Sequence, residues 1–417
     1  MIDLSILRNQ PDLIKDAIRR RGVDIDVDAL VSLDADVRRA RQNAEETRAE
    51  QKESGKAIAG LQGDEKQAAI EAAAALSEQF KEQSAAADAL QQRFDAIWID
   101  VPNLVDPSAA DGFTDADNVE IKRVGDIVTR NITRDHAELG ALLDVIDTER
   151  GAKVSGARFG YLKGKAVLLE FALVRYALDR LTEAGFTPMV PPVLVKEDAL
   201  FGTGFFPDAR EQVYAVPEDE LFLVGTAEVP LAAYHMDEIF EAGELPKRYV
   251  GFSTCFRREA GTYGKDTAGI FRVHQFDKVE MFVFTEPELS VEEHDRLLAY
   301  EESIVRGLDV PYRVVNVAAG DLGAPAAKKY DIEAWFPGQQ AYREITSCSN
   351  TTDFQARRLK VRQRTESGNR VIHTLNGTAV AVGRTILTIL ENHQQPDGSV
   401  VIPEALRPYT GFESIEP

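Results

Sequence analysis

The chain has little cysteine: Cys255 and Cys348 are the two in 417 residues. That excludes a disulfide framework. Both lie in stretches that read as interior strands, so free thiols in a reducing, cytoplasmic setting are expected. No run of 18 apolar residues occurs, which excludes a conventional membrane-spanning helix. The first residues carry Asp3, Arg8, Asp12, Lys15 and Asp16 without an apolar core, so they do not read as a secretory signal. Neither G-x-G-x-x-G nor a P-loop sequence is present, so phosphates must be held in some other way. Positive charge is also short: 48 Lys and Arg stand against 69 Asp and Glu, a net charge of −21. A nucleic-acid partner then requires local clusters, such as Arg19–Arg21, Arg38-Arg39-Arg41, Arg357-Arg358-Lys360 and Arg362 with Arg364. Solvated helix faces explain such clusters more often than RNA does.

What is there begins with periodicity. From Leu30 a 3-4 repeat runs through Leu33, Val37, Ala40, Ala44, Thr47, Gln51, Ser54 and Ile58 to Leu61. Gly60, Gly63 and Asp64 interrupt it, and a second repeat returns through Ala69, Ala73, Leu76, Phe80, Gln83, Ala87, Leu90, Phe94 and Ile97. These are coiled-coil seams. Two helices of about 30 residues, each roughly 45 Å long, form an antiparallel hairpin, bulky at its base and Ala-, Gln- and Ser-rich at its tip. Such hairpins dimerise proteins more often than they bind RNA.

Pro102, Pro107 and Gly112, among several acids up to Asp117, read as a linker. The expected domains are therefore 1–104, with the arm at about 28–98, and 105–417. In the second, Lys165 to Ala184 carries Val167, Phe171, Val174, Leu178 and Leu181 at helical spacing before Gly185 and a strand ending at Pro191-Pro192. Strands are predicted at Leu221–Val224, Tyr249–Phe256, Ile270–Phe284, Tyr312–Val317, Tyr330–Phe336 and Ala341–Cys348. Alternation with Asp331, Glu333, Arg343 and Glu344 favours an antiparallel sheet with one wet face. The fold class is α+β: a helical arm and a sheet flanked by helices.

The most informative stretch is Phe252 to Glu280, where two apolar runs flank Arg257-Arg258-Glu259 and a Gly-rich polar loop, Glu259 to Gly269. An arginine leaving a buried strand beside such a loop is placed to grip a phosphate. Phe256-Arg257-Arg258-Glu259, the loop and Phe271-Arg272 resemble the second signature motif of class II aminoacyl-tRNA synthetases. Thr226 to Glu228, His274 to Met281 (HQFDKVEM), Arg343 to Asn350 (REITSCSN) and His373 to Thr385 narrow this, and are similar to the bacterial seryl-tRNA synthetase family. The likeness runs nearly end to end.

The resemblance implies ATP-dependent attachment of serine to serine tRNA through a seryl-adenylate, with Mg²⁺ and without zinc. It implies a homodimer built on the long helix, the strand and Pro192, and an arm that grips serine tRNA, with selenocysteine tRNA as a further substrate where it exists. Carried over residue by residue, the catalytic set is Arg257, Glu259 and Arg384. The nucleotide set is Arg257, Arg258, Glu259, Val273, Phe276, Glu344, Ile345, Thr346, Ser347 and Arg384. The serine set is Thr226, Ala227, Glu228, Arg257, Glu280 and Thr378, and Glu344 with Ser347 is the Mg²⁺ pair. Residues 260–269 are expected to close over the nucleotide. The third motif departs from the family pattern in having Ala379 and Ala381 where glycine is usual, each adding a methyl near the nucleotide. Two other readings use the same fold: loading a carrier protein in place of tRNA, or binding without catalysis. The intact Arg257, Glu259, Glu344 and Arg384 argue against the second of these, and the full-length arm against the first.

Overall fold

The computed structural model describes residues 1–128, 133–261 and 269–417. The chain divides into two compact units, Asp3–Pro102 and Asn103–Pro417 with Met1–Ile2. The smaller unit is helical: α1 (Leu4–Asn9) and α2 (Pro11–Arg21) precede the long pair α3 (Val27–Ile58) and α4 (Gly63–Trp98). Asp26 caps α3 by accepting the Ala29 N–H at 2.9 Å, which satisfies a donor the helix cannot. Asp64 and Glu65 place negative charge at the start of α4. The seam buries Leu30, Val37, Ala44 and Thr47 against Ala87, Phe94 and Trp98.

Two seam positions differ from the 3-4 count. Asp34 is buried on α3 beside a half-buried Leu33, and Trp98 is buried where Ile97 is 41% exposed. The Trp98 ring stacks on Phe94 with centroids 5.7 Å apart. Asp34 is tolerated because Arg8 grips it through two bonds of 2.9 and 2.8 Å and Arg38 adds a third at 3.0 Å. Burial opposes its ionisation, yet Arg8 and then Arg38 hold the carboxyl below its usual range.

The larger unit is built on an eight-stranded sheet: β1 (Val119–Val124), β2 (Thr187–Met189), β3 (Lys247–Phe256), β4 (Gln275–Thr285), β5 (Tyr312–Asn316), β6 (Lys328–Phe336), β7 (Ala341–Asn350) and β8 (His373–Ala381), in the order β1-β5-β6-β7-β8-β4-β3-β2. Pairing is antiparallel except at one edge, where β2 runs parallel to β3. Helices α5 (Lys165–Glu183), α6 (Ser290–Arg306) and α7 (Val382–Asn392) share a core with it. Leu169 and Leu173, Leu297 and Ile304, and Ile386 and Ile389 meet Val279, Met281, Ile332 and Cys348 there. Gly377 has no side chain for a reason of space: a Cβ would lie 2.8 Å from Glu301 Oε1 and 3.1 Å from Cys348 Cβ.

Three expectations are corrected. The strand predicted from Ile270 begins at Gln275; Ile270 and Phe271 are apolar because they are buried in a turn. A short apolar run does not distinguish the two. On α5 Val174 and Leu181 are buried as the spacing requires, together with Ala166, Leu169, Leu173, Tyr176 and Ala177, but Phe171 is 59% exposed. The presumed linker is fastened from Asn103 on, whose Nδ2 donates to Pro325 and Thr351 carbonyls at 2.8 Å each, and Ala110 bridges to Ala318.

Candidate active site

β3 ends at Phe256 and releases Arg257 at the head of the polar loop. The Arg257 N–H donates to the His274 carbonyl at 3.0 Å, and its Nε donates to the Gly225 carbonyl at 3.1 Å. These two bonds hold the guanidinium 5.2 Å from the Phe276 ring centroid. Phe276 therefore forms a cavity wall and is not interior filler.

Two bulges decide which side chains face that wall. On β7 the register passes from Ile332↔Thr346 to Glu333↔Glu344, so Ile345 is the extra residue. Without it, Glu344 and Ser347, three apart, would point to opposite faces; with it both line the same cavity. On β8 the register passes from Val279↔Val380 to Glu280↔Thr378, which makes Ala379 the extra residue. Thr378 and Ala381 then share the wet face, while Ala379 is 1% exposed and belongs to the core. Of the two departures in the third motif, only Ala381 adds its methyl to the cavity.

The result is two adjoining cavities, of about 250 and 600 Å³. The smaller is walled by Glu259, Val273, Phe276, Ile345 and Arg384, the larger by Thr226, Glu228, Glu280 and Asn376. Arg257, Lys278, Glu344, Ser347 and Thr378 belong to both and mark the junction. Arg384 donates to the Glu344 carbonyl at 2.9 Å, lies 3.4 Å from its carboxylate, and sits over Phe271 at 4.8 Å. Burial works against ionisation of Glu344, but Arg384, Lys329, Arg257 and Lys278 together hold it below the usual carboxylate range. Glu228 is the opposite case: burial, then the nearby Glu280, pushes its pKa up to about 7, against Gln355, Lys278 and Arg257. Its Oε1 accepts from Gln355 at 2.7 Å and Asn376 at 3.0 Å.

Family models match in two places: the seryl-tRNA synthetase N-terminal domain over residues 1–105, and the class II tRNA synthetase core domain (G, H, P, S and T) over 213–393. The serine–tRNA ligase of Thermobifida fusca is 52% identical over all of this chain and 99% of its own. The chain belongs to the seryl-tRNA synthetase family. Among solved structures, the seryl-tRNA synthetase of Pyrococcus horikoshii, complexed with ATP, matches with a TM-score of 0.94 and 40% identity over the whole of both chains. The cytoplasmic serine–tRNA ligase of Naegleria fowleri, in complex with AMP, gives 0.90 and 33% over all of this chain and 99% of its own.

Not every residue carried over from the seryl-tRNA synthetase motifs meets the cavities. Arg258 turns to the Val213 carbonyl at 3.1 Å and lies over Tyr214 at 4.9 Å, and lines neither. Thr346 points to the other face of β7, donating to Glu301 Oε2 at 3.1 Å, as strand alternation beside Ser347 demands. Ala227 is wholly buried in a side cluster with Leu231 and Phe282. Glu259 does line the smaller cavity, and it pairs there with Arg272 at 2.7 Å. Of the loop expected to close, residues 262–268 lie outside the described residues.

Several participants escaped the sequence reading. Lys278, at the junction, was visible as the basic residue of HQFDKVEM, two positions from Glu280 and so on its face. Asn376 was equally legible, two positions before Thr378. Gln355, from a helix far along the chain, left no signal. Among the described residues no three His, Cys, Asp or Glu side chains gather as a metal-binding group, and no helix is long and apolar enough to cross a membrane.

Proposed function

We propose that this protein attaches L-serine to serine tRNA at the expense of ATP, through a seryl-adenylate, in the cytoplasm. The observation that carries the reading is the junction: one guanidinium, Arg257, serves both cavities. In the first step a serine carboxylate oxygen attacks the α-phosphorus of ATP, and the bond to the β-phosphate bridge breaks, releasing pyrophosphate. In the second, a hydroxyl of the terminal tRNA ribose attacks the seryl carbonyl, its proton is lost to solvent, and AMP leaves. Such displacements ask the protein for positioning and charge neutralisation more than for covalent help.

Arg257 suits both the serine carboxylate and the α-phosphate, because its planar fork can bond two anions at once. Phe276 offers the adenine a face, with Val273, Ile345 and Glu259 around it, and Arg384 offers its charge to the γ-phosphate. Glu228 and Thr226 receive the serine ammonium; Glu280 and Thr378 receive its hydroxyl. Glu344, held ionised, and the Ser347 hydroxyl supply the hard oxygen donors that Mg²⁺ prefers. Bound with ATP, the ion would neutralise phosphate charge.

Residues 1–104 are assigned to tRNA and 105–417 to catalysis. An arm of this kind suits the shape and backbone of a duplex RNA better than its base edges. The same contacts extend to selenocysteine tRNA where a cell has one. A homodimer through α5 is supported by Leu168 at 52% and Phe171 at 59% exposure, three residues apart on one face of the helix, apolar side chains of the kind that seek a partner. Serine-dependent pyrophosphate exchange followed by charging of bulk tRNA tests the assignment. Exchange without charging would favour a carrier-protein acceptor, and neither activity a binding protein.

A further inference from the structure

Lys278 acts on Glu344 and Glu228 through its charge, but its direct partner is Glu280. The lysine is 7% exposed, stands at the junction of the two cavities, and its Nζ lies 2.5 Å from Glu280 Oε2. The Thr378 hydroxyl donates to that same Oε2 at 3.3 Å. Among the described residues Lys278 has no second ion-pair partner, and no hydrogen bond falls on Glu280 Oε1. A carboxylate held twice through one oxygen cannot swing, and its other oxygen is left as a fixed acceptor. A carboxylate this deeply buried also needs a cation beside it, the more so with Glu228 across the same cavity.

We propose that Lys278 is a positioning residue for amino-acid selection, tying Glu280 Oε2 so that Oε1 alone meets the hydroxyl of the substrate. This rests on the serine reading above. The benefit falls on a substrate with a hydroxyl and not on one without, because only the former can satisfy the oriented acceptor. Lys278 thus raises selectivity without being asked to touch the reacting carboxylate or phosphate.

The test is a cycle of full-length variants, K278M, E280Q and K278M/E280Q, with K278R and K278Q alongside. Pyrophosphate exchange is measured with L-serine and with L-alanine, and the melting temperature of each variant is taken without substrate. K278M should raise the serine KM at least tenfold with kcat within threefold. Its kcat/KM for alanine should fall far less than that for serine, so the serine-to-alanine ratio falls at least tenfold. K278R should recover most of the ratio, and the double variant should be no worse with serine than E280Q, within threefold. Should K278M not fold, K278Q carries the same expectation, since a neutral amide cannot hold an ionised partner as an ammonium does. Equal losses for serine and alanine, or single penalties that multiply in the double variant, would overturn the proposal and assign Lys278 directly to the carboxylate or α-phosphate. A wild-type protein that exchanges with another amino acid and not with serine instead removes the serine reading, a result that no Lys278 variant can mimic.

Discussion

Between residues 48 and 86 of the helical unit no side chain is buried, whereas in the sheet unit every residue from Lys278 to Thr285 is. The outer hairpin is held by backbone hydrogen bonds, helix propensity and short-range pairs such as Gln67 with Glu71, each worth only ~0.2–0.5 kcal/mol. The central strand is held by packing on both faces, where losing one large side chain costs about 2–5 kcal/mol. A surface that presents shape to a large partner can bend and accept substitution. A site that must hold a carboxylate and a phosphorus in line cannot. The two units therefore should fail in different ways.

The largest effect is expected from separating them. Replacing Val37 to Phe94 by a short linker removes the thin hairpin and none of the cavity walls. Charging of tRNA should fall to background, at least ~10³-fold, while serine-dependent pyrophosphate exchange stays within threefold. Loss of both activities in a protein that still melts cooperatively would show that the arm supports the sheet unit and that the two do not work independently.

Next comes Arg257→Ala. Removing a preorganised charge aimed at the reacting phosphate commonly costs ~10²–10³ in rate, and Arg257 lines both cavities, so exchange should drop by about 10³. ATP affinity should change by less than tenfold, because Arg384 and Phe276 remain. Exchange within threefold of wild type would give Arg257 another task.

The same contrast governs what could be read from sequence. Arm periodicity is local, so the helices and seam were legible from spacing alone. The slips came where a seam position is polar (Asp34) or where, at the helix end, Ile97 turns out to solvent. Sheet strands were legible as elements, but their bulges were not, since a bulge is a relation between two strands. Ile345 and Ala379 look like ordinary strand residues until their partners are known. That is why Glu344 with Ser347, three apart, needed the family resemblance to be paired, and why Thr346 and Ala227 were carried along although they face away. Gln355 reaches Glu228 only through tertiary folding.

A smaller effect tests the amino-acid side of the junction. Glu280→Ala removes the acceptor and leaves Lys278 buried without its partner. The serine KM should rise strongly, and the preference for serine over alanine should narrow by ~10²-fold, in keeping with loss of a charge-assisted hydrogen bond worth ~1.5–3 kcal/mol and of the order it imposes. If stability falls and the ratio is unchanged, Glu280 is a structural partner of Lys278 and leaves the serine site.

The smallest effect concerns protons. Glu228, pushed up to about 7 by burial and then by Glu280, binds its proton more tightly in the folded chain than in the unfolded one. A raised folded pKa means that ionising Glu228 costs stability. The cost is negligible below the ordinary carboxylate value near 4.5, grows as pH rises to about 7, and is fully present above that. Glu228→Gln removes the charge and can keep both donors, since Gln355 and Asn376 converge on the single oxygen Oε1. Without serine, this variant should therefore be more stable than wild type at pH 8, by ~1–3 kcal/mol, with most of the advantage gone by pH 5. The catalytic consequence has the opposite sense. A serine ammonium needs the carboxylate, so the wild-type serine KM should climb as pH falls from 8 to 6, while the variant's KM, high throughout, should stay flat. Thermal melts of both proteins across that range, beside exchange kinetics, check the two together. A stability gap that does not change with pH would mean that Glu228 titrates as an ordinary carboxylate, whereas a variant with the wild-type serine KM at pH 8 would send the ammonium site elsewhere on the cavity wall.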